Sequence, residues 1–385
     1  MTVADRVGAR PADQVRARRA VPQQILIMAG GTGGHVYPAI AVAEELRHRG
    51  YGVTWLGTQQ GLEARVVPEK NFPIQFITSV GVRGKGMVNA LIAPFMMLKG
   101  LWESMAVIRR VKPIAILGMG GFVSVPGGIA SWLMRKPLVI HEQNAVAGSA
   151  NRLLSRFATR VLTGFSDVFA EGERVGNPVR QDIAQLPPKL ISTDTNRPIN
   201  LLVLGGSLGA KAINEVLPGV IKQFAGNQKP NVWHQTGKTT YEVTLALYQQ
   251  QALVIDGEKI KVSAFIEDMA SAYQWADLVL CRAGAMTLAE VACARLPSIL
   301  VPLPNAIDDH QNKNAQQFVD EGASILLPQN KMTTEHLLSL LVSLSVDKAR
   351  LQRMASEAKT LAQPQAAQRV ADICLGVAGM EVTHG

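Results

Sequence analysis

The amino-acid sequence predicts an α/β protein of two doubly wound domains that face each other across a cleft. Three observations predict it. A glycine-rich loop follows a short apolar run once in each half of the chain: Ile25 to Ala29 leads into Gly30-Gly31-Thr32-Gly33-Gly34-His35, and Leu201 to Leu204 leads into Gly205-Gly206-Ser207-Leu208-Gly209-Ala210. Apolar runs of strand length then recur with helical stretches between them, the pattern of a parallel sheet covered on both faces. At 385 residues, finally, the chain is long for one hydrophobic core and comfortable for two.

The elements follow in order. The first 22 residues hold five arginines against two aspartates and no apolar segment, so they read as a disordered basic tail rather than a secretory signal. In the N-terminal domain, residues 23–184, the strands are Ile25 to Ala29, Val53 to Leu56, Ile74 to Ile77, Ile114 to Leu117, Leu138 to His141 and Val161 to Thr163. After Asn177-Pro178 the composition turns polar, and Gln185 to Pro198 reads as the interdomain linker. The alternation restarts at Ile199 in a C-terminal domain, residues 199–360, with strands at Leu201 to Leu204, Val232 to His234, Ile260 to Ser263, Leu278 to Cys281, Ser298 to Val301 and Ser324 to Leu327. Asp347 to Val377 is helical by pattern with a break at Pro364, and the last segment, 361–385, is expected to cross back onto the N-terminal domain.

Composition narrows the function classes. The net charge of +9 calls for an anionic partner, which charge alone leaves open between nucleic acid, phosphorylated substrate and acidic lipid. Aromatics at 5% leave little material for base-stacking platforms, and no aromatic-basic motif is present, so no nucleic acid is expected. Cys281, Cys293 and Cys374 have no metal-ligand spacing and are odd in number, which argues against a disulfide framework and for a reducing compartment. No uncharged run is long enough to span a bilayer.

The loops carry the chemistry. A glycine turn between a buried strand and a helix start gathers unpaired amides and the positive helix end at one point, which favours an anionic oxygen. The first loop is not a dinucleotide fingerprint, because Val36 occupies the third glycine position and Gly57-Thr58-Gln59, not an acid, closes the second strand. It is not a Walker A loop, since no lysine follows. His35 stands at the helix entrance as a candidate base or substrate contact. Gly118-Met119-Gly120-Gly121-Phe122 forms a further amide-rich turn, and His141-Glu142-Gln143-Asn144 ends an otherwise apolar strand, where polar groups are expected to face the cleft. Glu290, six residues past Gly284, is placed to accept from a ribose diol. Between Met87 and Trp102 an apolar run containing Leu91, Ile92, Phe95, Met96, Leu98 and Trp102 is flanked by Arg83, Lys85 and Lys99, the combination suited to an anionic lipid surface.

With these residues in place, the chain resembles glycosyltransferase family 28, and within it the enzymes that join N-acetylglucosamine to lipid I in bacterial peptidoglycan synthesis. The likeness rests on Gly30 to Val36, Gly118 to Gly121, His141 to Asn144, Gly176-Asn177-Pro178-Val179-Arg180, Gly205-Gly206-Ser207 and Phe265-Ile266-Glu267-Asp268-Met269 in the family's order, and extends from about Gln24 to the end. It implies the GT-B fold, two Rossmann-like domains with the donor nucleotide held mainly by the C-terminal one and the lipid acceptor by the N-terminal one. By similarity, Thr32, Gly33 and Gly34 approach the donor sugar and diphosphate and Asn144 holds the sugar. Arg180 and Ser207 contact the diphosphate region and Ile266 the uracil. Ala285, Met286, Thr287, Leu288, Ala289 and Glu290 bind phosphate and ribose, and Gln311 reaches the sugar hydroxyls. Phe122, Ala289 and His310 depart from the tyrosine, serine and glutamine expected there, a change at the phosphate and sugar contacts that leaves the principal motifs intact.

The resemblance implies inverting transfer of N-acetylglucosamine (GlcNAc) from UDP-GlcNAc to the C4 hydroxyl of the muramoyl-pentapeptide in lipid I, giving lipid II and UDP. Another GT-B enzyme, such as a glycolipid glycosyltransferase or a UDP-GlcNAc 2-epimerase, is the alternative. His35 is the first candidate for the base, with Glu142 and His141 after it, although His35 alternatively positions acceptor phosphate. No Asp-x-Asp pair occurs, so no metal or other cofactor is expected. The expected partners are UDP-GlcNAc, undecaprenyl-diphosphate-linked lipid I, an anionic membrane surface and other cell-wall synthesis proteins. The expected location is peripheral, on the cytoplasmic face of the bacterial plasma membrane.

Overall fold

The computed structural model describes residues 22–79, 87–188, 191–206, 209–224 and 228–380. The basic tail up to residue 21, the last five residues and Ser207 lie outside the described residues. The N-terminal half runs β1 (Gln24–Ala29), α1 (Gly33–His48), β2 (Gly52–Gly57), α2 (Glu63–Glu69), β3 (Ile74–Phe76), α3 (Met87–Val111), β4 (Ala115–Gly120), α4 (Ser124–Leu133), β5 (Leu138–Glu142), α5 (Ser149–Leu154), β6 (Arg160–Thr163), β7 (Glu173–Arg174) and α6 (Gln181–Ala184). The C-terminal half continues β8 (Asn200–Leu204), α7 (Lys211–Gln223), β9 (Asn231–Gln235), α8 (Tyr241–Gln250), β10 (Ile260–Ser263), α9 (Met269–Trp275), β11 (Leu278–Cys281), α10 (Ala285–Cys293), β12 (Ser298–Leu300), α11 (His310–Asp320), β13 (Ser324–Leu326), α12 (Thr334–Val346), α13 (Lys348–Leu361) and α14 (Ala366–Gly376).

Both sheets are parallel and wound the same way. The seven-stranded sheet has the order β3-β2-β1-β4-β5-β6-β7, and the six-stranded sheet β10-β9-β8-β11-β12-β13. In each, the winding reverses between the first strand and the fourth, opening a crevice beyond their carboxyl ends. Gly30 to Gly34 follows β1 and Gly121 follows β4, while Gly205-Gly206 follows β8 and Ala283-Gly284 follows β11, so all four turns lie at the two reversal points. The central strand β1 is apolar on both sides because helices cover both faces: Ile25, Ile27 and Ala29 pack with α1, whereas Leu26 and Met28 pack with α3 and α4 residues on the other side.

The chain crosses between the domains twice. Val179 and Ile183 are buried with Leu202, Leu204 and Ile266, so α6 belongs to the C-terminal core. The expected boundary at residue 184 is therefore too late, and the crossing falls at Gly176 to Pro178, where two small apolar side chains that follow were too little signal to show which core they enter. The return comes after α13. Val370, Ala371, Cys374 and Leu375 of α14 join Ile25, Ile27 and α1 residues in the N-terminal core, and Arg49, which caps the C-terminus of α1, pairs with Asp372.

Candidate active site in the interdomain cleft

On the N-terminal side, Thr32 precedes α1 in extended conformation and gives it no side-chain cap, so the first amides of the helix have no acceptor within it. The loop is held from behind by Glu63, a fully buried carboxylate at the start of α2. Its Oε2 accepts from Gly31 N at 3.0 Å, and its Oε1 accepts from Thr58 N at 2.9 Å and Thr58 Oγ1 at 2.7 Å. Sequence reasoning missed this residue; its signal was a lone acid at a helix start just after the second strand, a place where it can reach back to the first loop. In front of Glu63 lies a cavity of about 590 Å³ whose lining includes Gly30, Gly31, Thr58, Phe76, Met96, Lys99 and Phe122.

His35 is half-buried in the first turn of α1, and its Nδ1 lies 2.9 Å from Gln143 Oε1. A side chain on Gly120 would come within 2.8 Å of the imidazole, so the left-handed glycine there (φ +103°) makes room for the ring. The neighbouring candidates are corrected. His141 is fully buried between Gly176 O at 2.9 Å and Gln143 Nε2 at 3.1 Å, and burial lowers its pKa to about 4. Glu142, 1% exposed, accepts from Asn144 N and Gly148 N and from the amides of Asn144 and Asn151. A carboxylate with four donors and no route to the cleft organises the loop; neither residue can take a proton from substrate. The expectation that these polar groups face the cleft holds only for Asn144, whose Oδ1 accepts from Asn314 of α11 at 3.2 Å. Asn314 is itself buried and also accepts from Ala145 N at 2.8 Å, a polar clasp between the domains.

On the C-terminal side, Gln235 holds the second glycine loop by two bonds, accepting from Gly206 N at 3.0 Å and donating to Gly206 O at 2.9 Å, and donates further to Ala264 O in the loop that carries Ile266. Helices α7 and α10 both start from these turns without side-chain caps. Glu290 is the sixth residue of α10, beyond the first turn, so it is not a dipole-complementing acid. Its Oε2 accepts from Tyr273 OH at 2.9 Å. Burial raises its pKa, and the nearby Arg180 guanidinium and the Tyr273 bond oppose that rise. Arg180 precedes α6, 3.8 Å from Asp182. Met286, Thr287 and Ala289 are half-buried, whereas the side chains of Leu288 and Ile266 are buried in the C-terminal core. Gln311, in the first turn of α11, accepts from Leu303 N at 2.9 Å, one turn from Asn314.

The apolar run falls on α3. Phe95, Leu98 and Trp102 are 74%, 58% and 73% exposed, an unusual stripe for a water-facing helix. Met96 instead lines the cavity, and Lys99 lies there too, 3.9 Å from Glu103. Arg83, Lys85 and the side chains of Leu91 and Ile92 lie outside the described residues. Helix α4, packed against α3, adds exposed Trp132 and Leu133. No helix among the described residues is long and apolar enough to cross a membrane.

Residues 25–163 match the glycosyltransferase family 28 N-terminal domain and residues 200–370 its C-terminal domain. A protein of Alkalilimnicola ehrlichii named UDP-N-acetylglucosamine--N-acetylmuramyl-(pentapeptide) pyrophosphoryl-undecaprenol N-acetylglucosamine transferase is 51% identical over 91% of this chain and 98% of its own. A Cellvibrio japonicus protein of the same name is 50% identical over 94% and 99%. The crystal structure of MurG from Acinetobacter baumannii superposes with a TM-score of 0.77 at 43% identity, covering 92% of this chain and 99% of that one.

Proposed function

The chain belongs to glycosyltransferase family 28 through both of its domains, and from that membership we infer that it transfers GlcNAc from UDP-GlcNAc to N-acetylmuramyl-pentapeptide pyrophosphoryl-undecaprenol, converting lipid I to lipid II. It is a hexosyltransferase of GT-B fold that serves peptidoglycan synthesis. The observation that carries the reading is the clasp of Asn144 and Ala145 to Asn314, which brings the acceptor-side loops and the donor-side helices α10 and α11 to one cleft.

In our reading the donor lies along the C-terminal wall. Main-chain groups of Ile266 read the uracil, Glu290 takes the ribose hydroxyls through Oε1, and Arg180 with the α10 amides faces the diphosphate. Gln311 and Asn144 hold the sugar, and Thr32 to Gly34 lie over the diphosphate–sugar junction. The acceptor occupies the cavity beside Gly31 and Phe122. Its C4 oxygen attacks C1 as the C1–O bond to the diphosphate breaks, the electron pair leaving with UDP and the hydroxyl proton passing to His35 Nε2; attack opposite the leaving group inverts the α linkage to β. Negative charge growing on UDP is met by fixed amides and Arg180, which supply what a metal would. The α3 stripe and its cations rest on the anionic cytoplasmic face of the plasma membrane, where the lipid-linked acceptor is found and where other cell-wall synthesis proteins are met.

Incubating the protein with UDP-GlcNAc and a lipid I analogue in EDTA should yield one UDP per disaccharide-lipid. Epimerised sugar without disaccharide would overturn the transfer reading, and a requirement for added Mg²⁺ would overturn the metal-free one.

A further inference from the structure

We propose that Gln143 is a positioning residue that holds the His35 imidazole in its Nδ1–H form and so leaves Nε2 as the proton acceptor. Its catalytic consequence rests on the reading of His35 as the base; the positioning itself does not. Two main-chain carbonyls around Gln143 and His141 have fixed roles. Gln143 Nε2 lies 3.2 Å from His141 O, a carbonyl that can only accept, so this end of the side chain is the NH₂. The other end is then the oxygen, and it too can only accept. Since it lies 2.9 Å from His35 Nδ1, the proton on that bond belongs to His35.

A second carbonyl gives the same answer from the far end. Gly176 O, 2.9 Å from His141 Nε2, requires a proton on that nitrogen, which leaves His141 Nδ1 as a lone pair facing the Gln143 NH₂ at 3.1 Å. Turning the Gln143 amide over would set its oxygen against the His141 carbonyl, which would then keep only Asn151 Nδ2 as donor, and would leave the buried His141 Nδ1 lone pair facing an oxygen with no donor. Burial keeps His141 neutral down to about pH 4, so this lone pair persists at any working pH. His35 Nε2 has no protein partner among the described residues.

The arrangement suits a base because protonation at Nε2 leaves every bond of the chain from His35 to Gly176 unchanged: Nδ1–H donates to Gln143 before and after. No reorganisation accompanies the step. A free neutral imidazole favours the opposite tautomer, so the preference must come from the partner.

The test is two-bond ¹H–¹⁵N spectroscopy of the histidine-labelled full chain above pH 8, with the His35 signals assigned by their loss in His35→Ala. The wild type should show His35 as the Nδ1–H form, and Gln143→Met should move it toward Nε2–H. Gln143→Met should also lower kcat about 10- to 100-fold, a share of what general-base catalysis contributes, with calorimetric UDP affinity unchanged. A wild-type spectrum with His35 protonated at Nε2 would overturn the proposal without any variant, as would an unmoved tautomer in folded Gln143→Met. A moved tautomer with unchanged kcat would support the positioning and remove His35 from the role of base.

Discussion

At the level of single residues, the chemistry of the cleft depends on which polar groups the fold has already committed. Glu142 and Glu63 spend their oxygens on main-chain amides, whereas Glu290 gives one oxygen to Tyr273 and keeps Oε1 without a protein partner among the described residues. Glu290→Ala should therefore weaken UDP binding by about 1 to 3 kcal/mol, the range for a hydrogen bond to a charged group; an unchanged calorimetric affinity would take Glu290 out of the ribose site. The buried histidines have a different consequence. Burial lowers His141 to about 4 and His234, enclosed by Tyr248 and Asn214, to about 3. The unfolded chain, with histidines near 6.5, binds more protons below that pH, so stability is full above about pH 6.5 and falls as pH drops toward the native values. Each should cost roughly 2 kcal/mol between pH 7 and pH 4.5. Urea unfolding free energies that are flat over this interval would contradict it. Sequence reasoning could place His35, because a histidine closing a glycine loop has a fixed location. It could not sort His141, Glu142 and Asn144, since four polar residues at a strand end look alike whether they face a ligand or one another.

At the level of elements, the legible ones were those with a burial pattern. Each β1 residue from Ile25 to Ala29 is fully buried, and runs of that kind gave every strand but one. The exception, β7, is two exposed charged residues, Glu173 and Arg174, held at the sheet edge by pairing with Leu162 and Thr163 and carrying no apolar signal at all. Helix α3 shows the converse: its apolar residues were visible, but only the structure separates Phe95, Leu98 and Trp102, which face outward, from Met96, which lines the cavity. Changing Phe95 and Leu98 to serine and Arg83, Lys85 and Lys99 to glutamine should reduce binding to anionic liposomes by about 1 kcal/mol per cation lost plus the apolar share. It should slow transfer to a long-chain acceptor and spare a short soluble one. Wild-type liposome binding by the folded variant would make this stripe an ordinary surface.

For the whole molecule, the repeated loop was enough to give two domains with the same winding, but not where the chain passes between them. Val179 and Ile183 enter the C-terminal core and α14 returns to the N-terminal one, so the domains are tied by two adjacent crossings at Gly176 and Gln363 as well as by Asn314. In the proposed reading, that build lets the C-terminal domain hold the nucleotide and the N-terminal domain the acceptor while the cleft aligns them. The most direct test of this division of labour is the pair of quantities measured on His35→Ala. The expected result is a kcat lower by roughly 10² to 10⁴-fold, the usual contribution of a general base, with calorimetric UDP affinity unchanged because, in this reading, the nucleotide lies on the opposite domain. A near-normal kcat with a raised acceptor KM, or a UDP affinity lost together with kcat, would contradict it.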